Sequence, residues 1–184
     1  MLILRSQSPR RKAILESLGL NFRIEVMPVD ESSFESEKPL DYLERVALSK
    51  LGPLNQDPES VLVSSDTIVV FQNDILQKPK DEEEAYRMIS LLNDNVHTVY
   101  SGLGIRTEGR DIFDYDSSQV LFHNWSKEEI RKYVRSKKPF DKAGAYGIQD
   151  KGSPAKSFEG SYTNILGFPI RKFFRHHGIW SEFL

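Results

Sequence analysis

The chain of 184 residues has no cysteine, no long apolar run and no strong excess of charge of either sign. Without cysteine there is no disulfide framework, and no thiolate can act as a nucleophile or metal ligand. The formal net charge of −2 lacks the basic footprint of a nucleic-acid-binding domain. No apolar stretch approaches the ~20 residues of a membrane span, and the N-terminus lacks the apolar region of a secretory signal. These absences predict a cytoplasmic protein that binds neither nucleic acid nor membrane.

Apolar patterning alternates between strand-like and helix-like segments along the chain. Residues 61–71 are rich in β-branched side chains, whereas residues 42–51 carry apolar positions at helical spacing. Strands mixed with helices predict an α/β fold, and the length suits one domain, or two closely packed lobes, with a real core. The pattern also predicts a strand at residues 162–166 and a strand at 96–105 that breaks at Gly102.

A polar segment at residues 140–150 combines charged and amide side chains with the tripeptide Ala-Gly-Ala. A buried strand would not hold Asp141, Lys142 and Gln149 so close together, because each would need a partner. The small residues let the backbone approach another group closely. The segment therefore indicates the wall of a site; the alternative is a tight turn between two elements.

A second polar segment follows the short apolar run at residues 2–4. Ser8 can cap a helix that starts at Pro9, because serine accepts from first-turn N–H groups and proline suits the first position. N–H groups at a helix start bind anions, and Arg10 and Arg11 add bidentate phosphate donors. The turn therefore predicts a phosphate site; the alternative is a plain cap beside two solvated arginines.

Asp66 follows the apolar run at residues 61–63 and precedes the apolar run at residues 68–70, so it is expected in or at the end of a largely buried strand. A buried carboxylate without a partner is costly. We therefore expect Asp66 to contact a metal ion, a lysine or a backbone cap. The alternative is a turn aspartate that caps Thr67.

These segments belong to an ordered series of short motifs. The series consists of Ser6, Ser8, Pro9, Arg10 and Arg11, then Ser65-Asp66-Thr67, Lys78-Pro79, His97-Thr98-Val99, residues 141–149, Gly160-Ser161-Tyr162 and Gly167-Phe168-Pro169. In content and order it resembles the Maf family over residues 2 to about 172. Maf proteins are nucleoside triphosphate pyrophosphatases. With Mg²⁺ or Mn²⁺ they hydrolyse the α–β phosphoanhydride bond and release a nucleoside monophosphate and pyrophosphate.

The resemblance implies this activity, a divalent metal cofactor and a small-molecule nucleotide as the partner, and it leaves a homodimer open. The Ser-Pro-Arg-Arg and Asp-Thr motifs resemble the branch that acts on dTTP and UTP. The sister branch, which acts on 7-methyl-GTP, typically has an aromatic residue at the position of Arg10. The implied fold is a Maf- and ITPase-like elongated mixed β-sheet flanked by helices, with two lobes around a deep cleft, in a single domain of residues 1–184.

The resemblance also implies roles for single residues. Catalytic positions match Asp66, Lys78 and Glu31, and Asp66 matches the proton acceptor that activates water. Carboxylates beside a hard cation can instead hold it, and Asp66, Glu31 and Asp141 could form such a metal site. Substrate contacts are implied for Ser6, Ser8, Arg10, Arg11, Lys50, Thr67, Lys142 and Gln149. The lysines would offset charge on the pyrophosphate leaving group; without the resemblance they would be ordinary surface residues, and Glu31 an ordinary loop carboxylate.

The chain departs from the usual Maf pattern at several positions. Lys138 stands where the family usually has a glutamate, which could weaken catalysis, alter metal dependence or add a phosphate contact. Arg5 replaces a usual alanine and Asp150 a usual glycine. His97 has no metal-pair or triad spacing around it, which favours a hydrogen-bonded structural histidine at the start of a strand.

Two further function classes stay open. One is a nucleotide-binding regulator of cell division or septum formation with little turnover, which steady-state release of pyrophosphate would distinguish from an enzyme. The other is a nucleic-acid-binding module. The near-neutral charge opposes that module, and salt-dependent retention on DNA or RNA would test it.

Overall fold

A computed structural model describes residues 1–53, 59–108 and 110–184 of the chain. The strands are β1 (Leu2–Leu4), β2 (Phe22–Ile24), β3 (Val61–Phe71), β4 (Asp74–Leu76), β5 (Val96–Thr107), β6 (Arg110–Phe122) and β7 (Ala155–Glu159). The α-helices are α1 (Pro9–Ser17), α2 (Pro39–Ser49), α3 (Glu82–Leu92), α4 (Lys127–Lys137), α5 (Tyr162–Leu166), α6 (Ile170–Arg175) and α7 (His177–Trp180). Short 3₁₀ helices span Ala143–Ala145 and Ser181–Phe183.

Within the described residues, the strands form one mixed sheet of seven strands in the order β2-β1-β3-β5-β6-β7, with β4 paired to β3. β1 is parallel to both β2 and β3, whereas β4 is antiparallel to β3 and β7 to β6. Parallel neighbours need crossover connections, and α1 and α2 lie in the two that link β1 to β2 and β2 to β3. The predicted α/β fold with a mixed sheet flanked by helices is confirmed. The predicted lobes and cleft stay predictions.

The chain forms two compact units. The first contains Met1–Asp66, Ser101–Asp116 and Gly167–Leu184, and the second contains Thr67–Tyr100 and Ser117–Leu166. The single domain expected for residues 1–184 stays a prediction. No helix among the described residues is both long enough and apolar enough to cross a membrane.

In the first unit, β1 and β3 lie at the centre of the buried core. Every residue of β1 is buried, and Ile3 packs with Leu51 and Leu62. The hydroxyl of Ser64 on β3 donates to the carbonyl of Ala47 on α2 at 2.6 Å. This buried hydrogen bond holds the C-terminal half of α2 against β3, and both elements contribute to the candidate site.

In the second unit, α3 and α4 pack into one hydrophobic cluster, which includes Ile89, Val134 and Tyr146. Gly144 has a φ of +67°, and a Cβ added there would lie 2.9 Å from the side chain of Val69. Glycine is therefore required both by the left-handed backbone and by the space. The close backbone approach predicted for the Ala-Gly-Ala tripeptide is a contact with Val69.

Two sequence predictions about strands are wrong. Tyr162–Leu166 is a helix, because the hydroxyl of Ser161 accepts from the N–H of Asn164 at 3.4 Å and its carbonyl accepts from the N–H of Ile165 at 3.2 Å. Gly102 does not break β5, which runs from Val96 to Thr107. A Cβ at Gly102 would lie 3.0 Å from the side chains of Leu43 and Phe113, so this glycine makes room for packing.

His97, the second residue of β5, has the structural role that the sequence predicts. It is buried, and its Nε2 lies 2.8 Å from the hydroxyl oxygen of Tyr146. The Phe122 and Tyr146 rings make T-shaped contacts with the imidazole. Burial lowers the pKa of His97 to about 4, because the charged imidazolium would lose its hydration.

We expect this histidine to make the protein acid-labile. The unfolded chain takes up a proton below pH 6.5 that the folded protein accepts only near pH 4. The unfolding free energy should therefore fall by roughly 3 kcal/mol as pH falls through this window, at about 1.4 kcal/mol per pKa unit. Above pH 6.5 this group should have no effect.

Urea unfolding between about pH 4 and pH 7.5 checks the expectation. His97→Gln should remove this part of the pH dependence, whereas His177→Gln, at an exposed position, should keep it. An unchanged pH dependence in a folded His97→Gln variant would show that other groups cause the acid sensitivity.

Candidate active site

The polar turn after β1 is held together by side chains of the turn itself. Ser8 caps α1, and its hydroxyl accepts from the N–H of Arg11. The hydroxyl of Ser6 accepts from the N–H of Ser8 at 3.2 Å and from Nη1 of Arg11 at 3.1 Å. Nε of Arg11 donates to the carbonyl of Gly167 at 2.8 Å. The predicted cap at Ser8, with Pro9 in the first turn, is confirmed.

Lys50 contacts two of the predicted carboxylates. Its Nζ lies 2.5 Å from Oδ1 of Asp66 and 2.8 Å from Oε1 of Glu31. Asp66 is buried at 6% exposure, so its charge needs a partner. Of the three partners that the sequence allows for Asp66, the structure shows the lysine.

The turn and the carboxylates share one electrostatic neighbourhood. Burial lowers the pKa of the Arg11 guanidinium, Asp66 and Glu31 raise it again, and Arg10 lowers it further. Arg11 therefore depends on the nearby negative charge that Asp66 and Glu31 provide. A nucleotide phosphate would bring further negative charge to a group of this kind.

Tyr42, on α2, is a site residue that the sequence analysis does not single out. Its hydroxyl donates to the carbonyl of Glu31 at 2.7 Å. Burial, with the charges of Asp66 and Glu31, raises the pKa of Tyr42, so the hydroxyl keeps its proton and remains a donor. Helical spacing accounts for the buried ring of Tyr42 and gives no signal for its hydroxyl contact.

The remaining predicted site residues lie in the second unit. Thr67 is half-buried on β3, Lys78 is exposed between β4 and α3, and Gln149 is exposed after Ala143–Ala145. Nζ of Lys142 lies 2.7 Å from Oδ1 of Asp141, its neighbour in the chain. The roles predicted for these residues stay predictions.

Asp150, which departs from the Maf pattern, stabilises the turn that contains Gln149. The hydroxyl of Tyr133 donates to Oδ2 of Asp150 at 2.6 Å and accepts from the N–H of Gly147 at 3.1 Å. The N–H of Asp150 donates to the carbonyl of Gly147 at 3.2 Å. The buried Tyr133 hydroxyl thus contacts the backbone of Gly147 and the side chain of Asp150, which lie on either side of Gln149.

Glu31 and Asp66 supply carboxylate oxygens, the ligand type that suits a hard divalent cation, and in this structure the Lys50 ammonium lies between them. Their oxygens converge within 2.8 Å of one point, the Nζ of Lys50. Mg²⁺ is bound by one or two carboxylates together with substrate phosphates. Within the part of the chain that the structure describes, no three His, Cys, Asp or Glu side chains are grouped so as to hold a metal ion. Asp141 as a third ligand stays a prediction.

The fold and this cluster define an α/β protein with a serine-capped polar turn and a lysine-bridged carboxylate pair. A family profile described as Maf-like protein matches residues 1–177. The chain is 56% identical over 184 residues to the dTTP/UTP pyrophosphatase of Leptospira interrogans serogroup Icterohaemorrhagiae serovar Lai (strain 56601), covering 100% of this chain and 97% of that protein. The chain belongs to the Maf family.

More distant proteins are also similar. The dTTP/UTP pyrophosphatase of Bacillus cereus (strain ATCC 14579) is 39% identical over 176 residues, covering 95% of this chain and 92% of that protein. A solved nucleoside-triphosphatase/dITP/XTP pyrophosphatase from Mycobacterium abscessus has a TM-score of 0.47 and 15% identity, covering 98% of this chain and 95% of that chain.

Proposed function

We propose that this protein hydrolyses nucleoside triphosphates, dTTP and UTP above others, to a nucleoside monophosphate and pyrophosphate with the help of a divalent metal ion. The observation that supports it most directly is the Lys50 ammonium, which lies 2.5 Å from Asp66 and 2.8 Å from Glu31. Membership of the Maf family and relatives named dTTP/UTP pyrophosphatase add to this support.

In the proposed reaction, Asp66 accepts a proton from water. The water oxygen forms a bond to the α-phosphorus, the bond from that phosphorus to the α–β bridging oxygen breaks, and pyrophosphate leaves. A buried carboxylate suits this role because it is fixed in a strand and shielded from bulk water. Lys50 would hold Asp66 in position through the contact that it already makes.

We propose that Glu31 and Asp66 hold the metal ion, with Asp141 as the third ligand that the family resemblance suggests. When bound, such an ion supplies positive charge to the phosphate oxygens and to the leaving pyrophosphate. Ser6 and Ser8 form the turn that binds phosphate. Arg11 keeps the turn in shape, because it donates to Ser6 and to the carbonyl of Gly167.

The other proposed roles rest on the family resemblance. Arg10 and Thr67 contact the nucleotide. Lys78 and Lys142 offset charge on the leaving pyrophosphate. Gln149 reads the base, because its amide has one donor group and one acceptor group for a uracil-type edge.

The enzymatic names of the relatives favour turnover over a nucleotide-binding regulator with little turnover. A cytoplasmic location and a homodimer stay predictions.

The reaction itself is the first test. With Mg²⁺ or Mn²⁺, the purified protein should convert dTTP or UTP to the monophosphate and pyrophosphate, and a chelator should abolish the conversion because the carboxylates would lose their cation. Chromatography of the nucleotide products checks this result. Release of orthophosphate, with the nucleoside diphosphate left behind, would contradict the assigned bond.

Replacement of Asp66, the proposed general base, gives a second test. Asp66→Asn should lower turnover of dTTP by roughly 10²–10⁴, the usual loss for a general base, because an amide cannot accept the proton. Asp41→Asn, an exposed position at the start of α2, is the matched control and should keep wild-type turnover. Near-wild-type turnover by a folded Asp66→Asn variant would reduce Asp66 to a structural residue.

The base preference gives a third test. Gln149→Leu should lower kcat/KM for dTTP and UTP more than for CTP, because a site that hydrogen-bonds one edge rejects analogues that leave its groups unpaired. Gln119→Leu, at an exposed position on β6, is the control. An equal loss for all pyrimidine triphosphates would mean that Gln149 maintains the site without reading the base.

A further inference from the structure

The segment between β2 and α2 that contains Glu31 has little regular structure. Residues 30–37, called the Glu31 loop below, contain one turn and no helix or strand. A segment without a helix or a sheet ladder takes its position from side-chain and turn contacts. The Glu31 side chain is 38% exposed, so burial alone does not fix its carboxylate. Something else must hold the loop.

Arg45, on α2, makes several contacts with the Glu31 loop. Its Nε and Nη2 donate to the two carboxylate oxygens of Glu37 at 2.6 and 2.7 Å. Nη2 also donates to the carbonyl of Ser32 at 2.9 Å. The guanidinium lies over the ring of Phe34, with its carbon 4.0 Å from the ring centroid. The Arg45 side chain thus contacts three residues of the loop. Its N–H groups hydrogen-bond to Glu37 and Ser32, and its planar guanidinium packs on the ring of Phe34.

Contacts inside the loop continue this network. The carboxylate of Glu37 accepts from the N–H of Phe34 at 3.1 Å. Hydrogen bonding to Arg45 lowers the pKa of Glu37, so the pair is ionised at neutral pH. At the other end of the loop, Asp30 accepts from both the N–H and the hydroxyl of Ser32. Asp30 and Ser32, the residues on either side of Glu31, are therefore hydrogen-bonded to each other. Ser32 is also hydrogen-bonded to Arg45.

Tyr42 completes the attachment of the loop to α2. Its hydroxyl donates to the carbonyl of Glu31 at 2.7 Å, while Arg45 binds the carbonyl of the next residue, Ser32. Tyr42 and Arg45 are three positions apart, which places them on one face of the helix. Lys50, which follows the same helix, contacts the Glu31 carboxylate. Tyr42 of α2 thus contacts the backbone of Glu31, and Lys50, directly after α2, contacts its side chain.

We propose that Arg45 is a positioning residue for Glu31. By binding Glu37, Ser32 and Phe34 it fixes the Glu31 loop on α2, and so sets where the Glu31 carboxylate lies relative to Lys50 and Asp66. The inference rests on the proposed function, in which Glu31 helps to hold the metal ion. Lysine cannot replace Arg45, because one ammonium offers neither the bidentate fork nor the flat face that this arrangement uses.

Arg45→Lys is the first experiment, since it keeps the charge and removes the fork. We expect kcat for dTTP to fall about 10-fold to 100-fold, as a displacement of about 1 Å in a catalytic group does. KM should change far less, because the phosphate-binding turn at Ser6 and Ser8 is untouched. Arg171→Lys removes a similar bidentate contact, Arg171 to Asp116 at 2.8 Å for both bonds, and should leave kcat unchanged.

A double-mutant cycle shows whether Arg45 acts through Glu31. In a Glu31→Gln background, Arg45→Lys should have little further effect on kcat, because coupled residues are not additive. Glu37→Gln keeps the shape of the Glu37 side chain and should reproduce part of the loss in kcat. This variant replaces Arg45→Lys in the experiment if Arg45→Lys does not fold. All rates are normalised to the folded fraction, measured by thermal unfolding.

The outcomes separate the inference from the proposed function. Full kcat in folded Arg45→Lys and Glu37→Gln variants, with a clear loss in Glu31→Gln, would overturn the positioning role alone. So would equal losses from Arg45→Lys in both backgrounds. Wild-type kcat in Glu31→Gln would overturn the role of Glu31 and the inference with it, while dTTP hydrolysis by the wild type would still support the proposed function. A wild-type protein that hydrolyses no nucleoside triphosphate would overturn both.

Discussion

The contact of the Lys50 ammonium with two carboxylates is the interaction on which the candidate site depends. Asp66 is buried in β3, and a buried carboxylate is tolerated only with a partner. Lys50 provides that partner and also forms an ion pair with Glu31, which lies on a loop. The two elements that bring Asp66 and Lys50 together, β3 and α2, are themselves joined by the hydrogen bond from Ser64 to Ala47.

The site combines one rigid component with one that depends on polar contacts. β3 is held by the sheet and by burial, so Asp66 needs no further support for its backbone. Glu31 lies on a loop, and its position depends on Tyr42 and Arg45 of α2. Such a loop is more easily altered by a single substitution than a strand, because a few side-chain contacts replace the many hydrogen bonds of a sheet.

Local sequence patterns predicted part of the secondary structure. Ser8 caps α1 as the sequence predicts, because a cap depends on residues only a few positions apart. β3 has the predicted bounds, since its apolar run is long. The short segment Tyr162–Leu166 was predicted wrongly, because five residues carry too little periodicity to separate a strand from a helix.

The sequence by itself determined the α/β class, the cap at the N-terminal turn and the expectation that Asp66 has a partner, because each follows from neighbouring residues or from the cost of a buried charge. Only the tertiary structure decided that this partner is Lys50, 16 positions earlier in the chain, and that Arg45 binds the loop of Glu31. Contacts of this kind join residues that no local pattern links, because they form when a helix packs on a strand and a loop folds back on that helix.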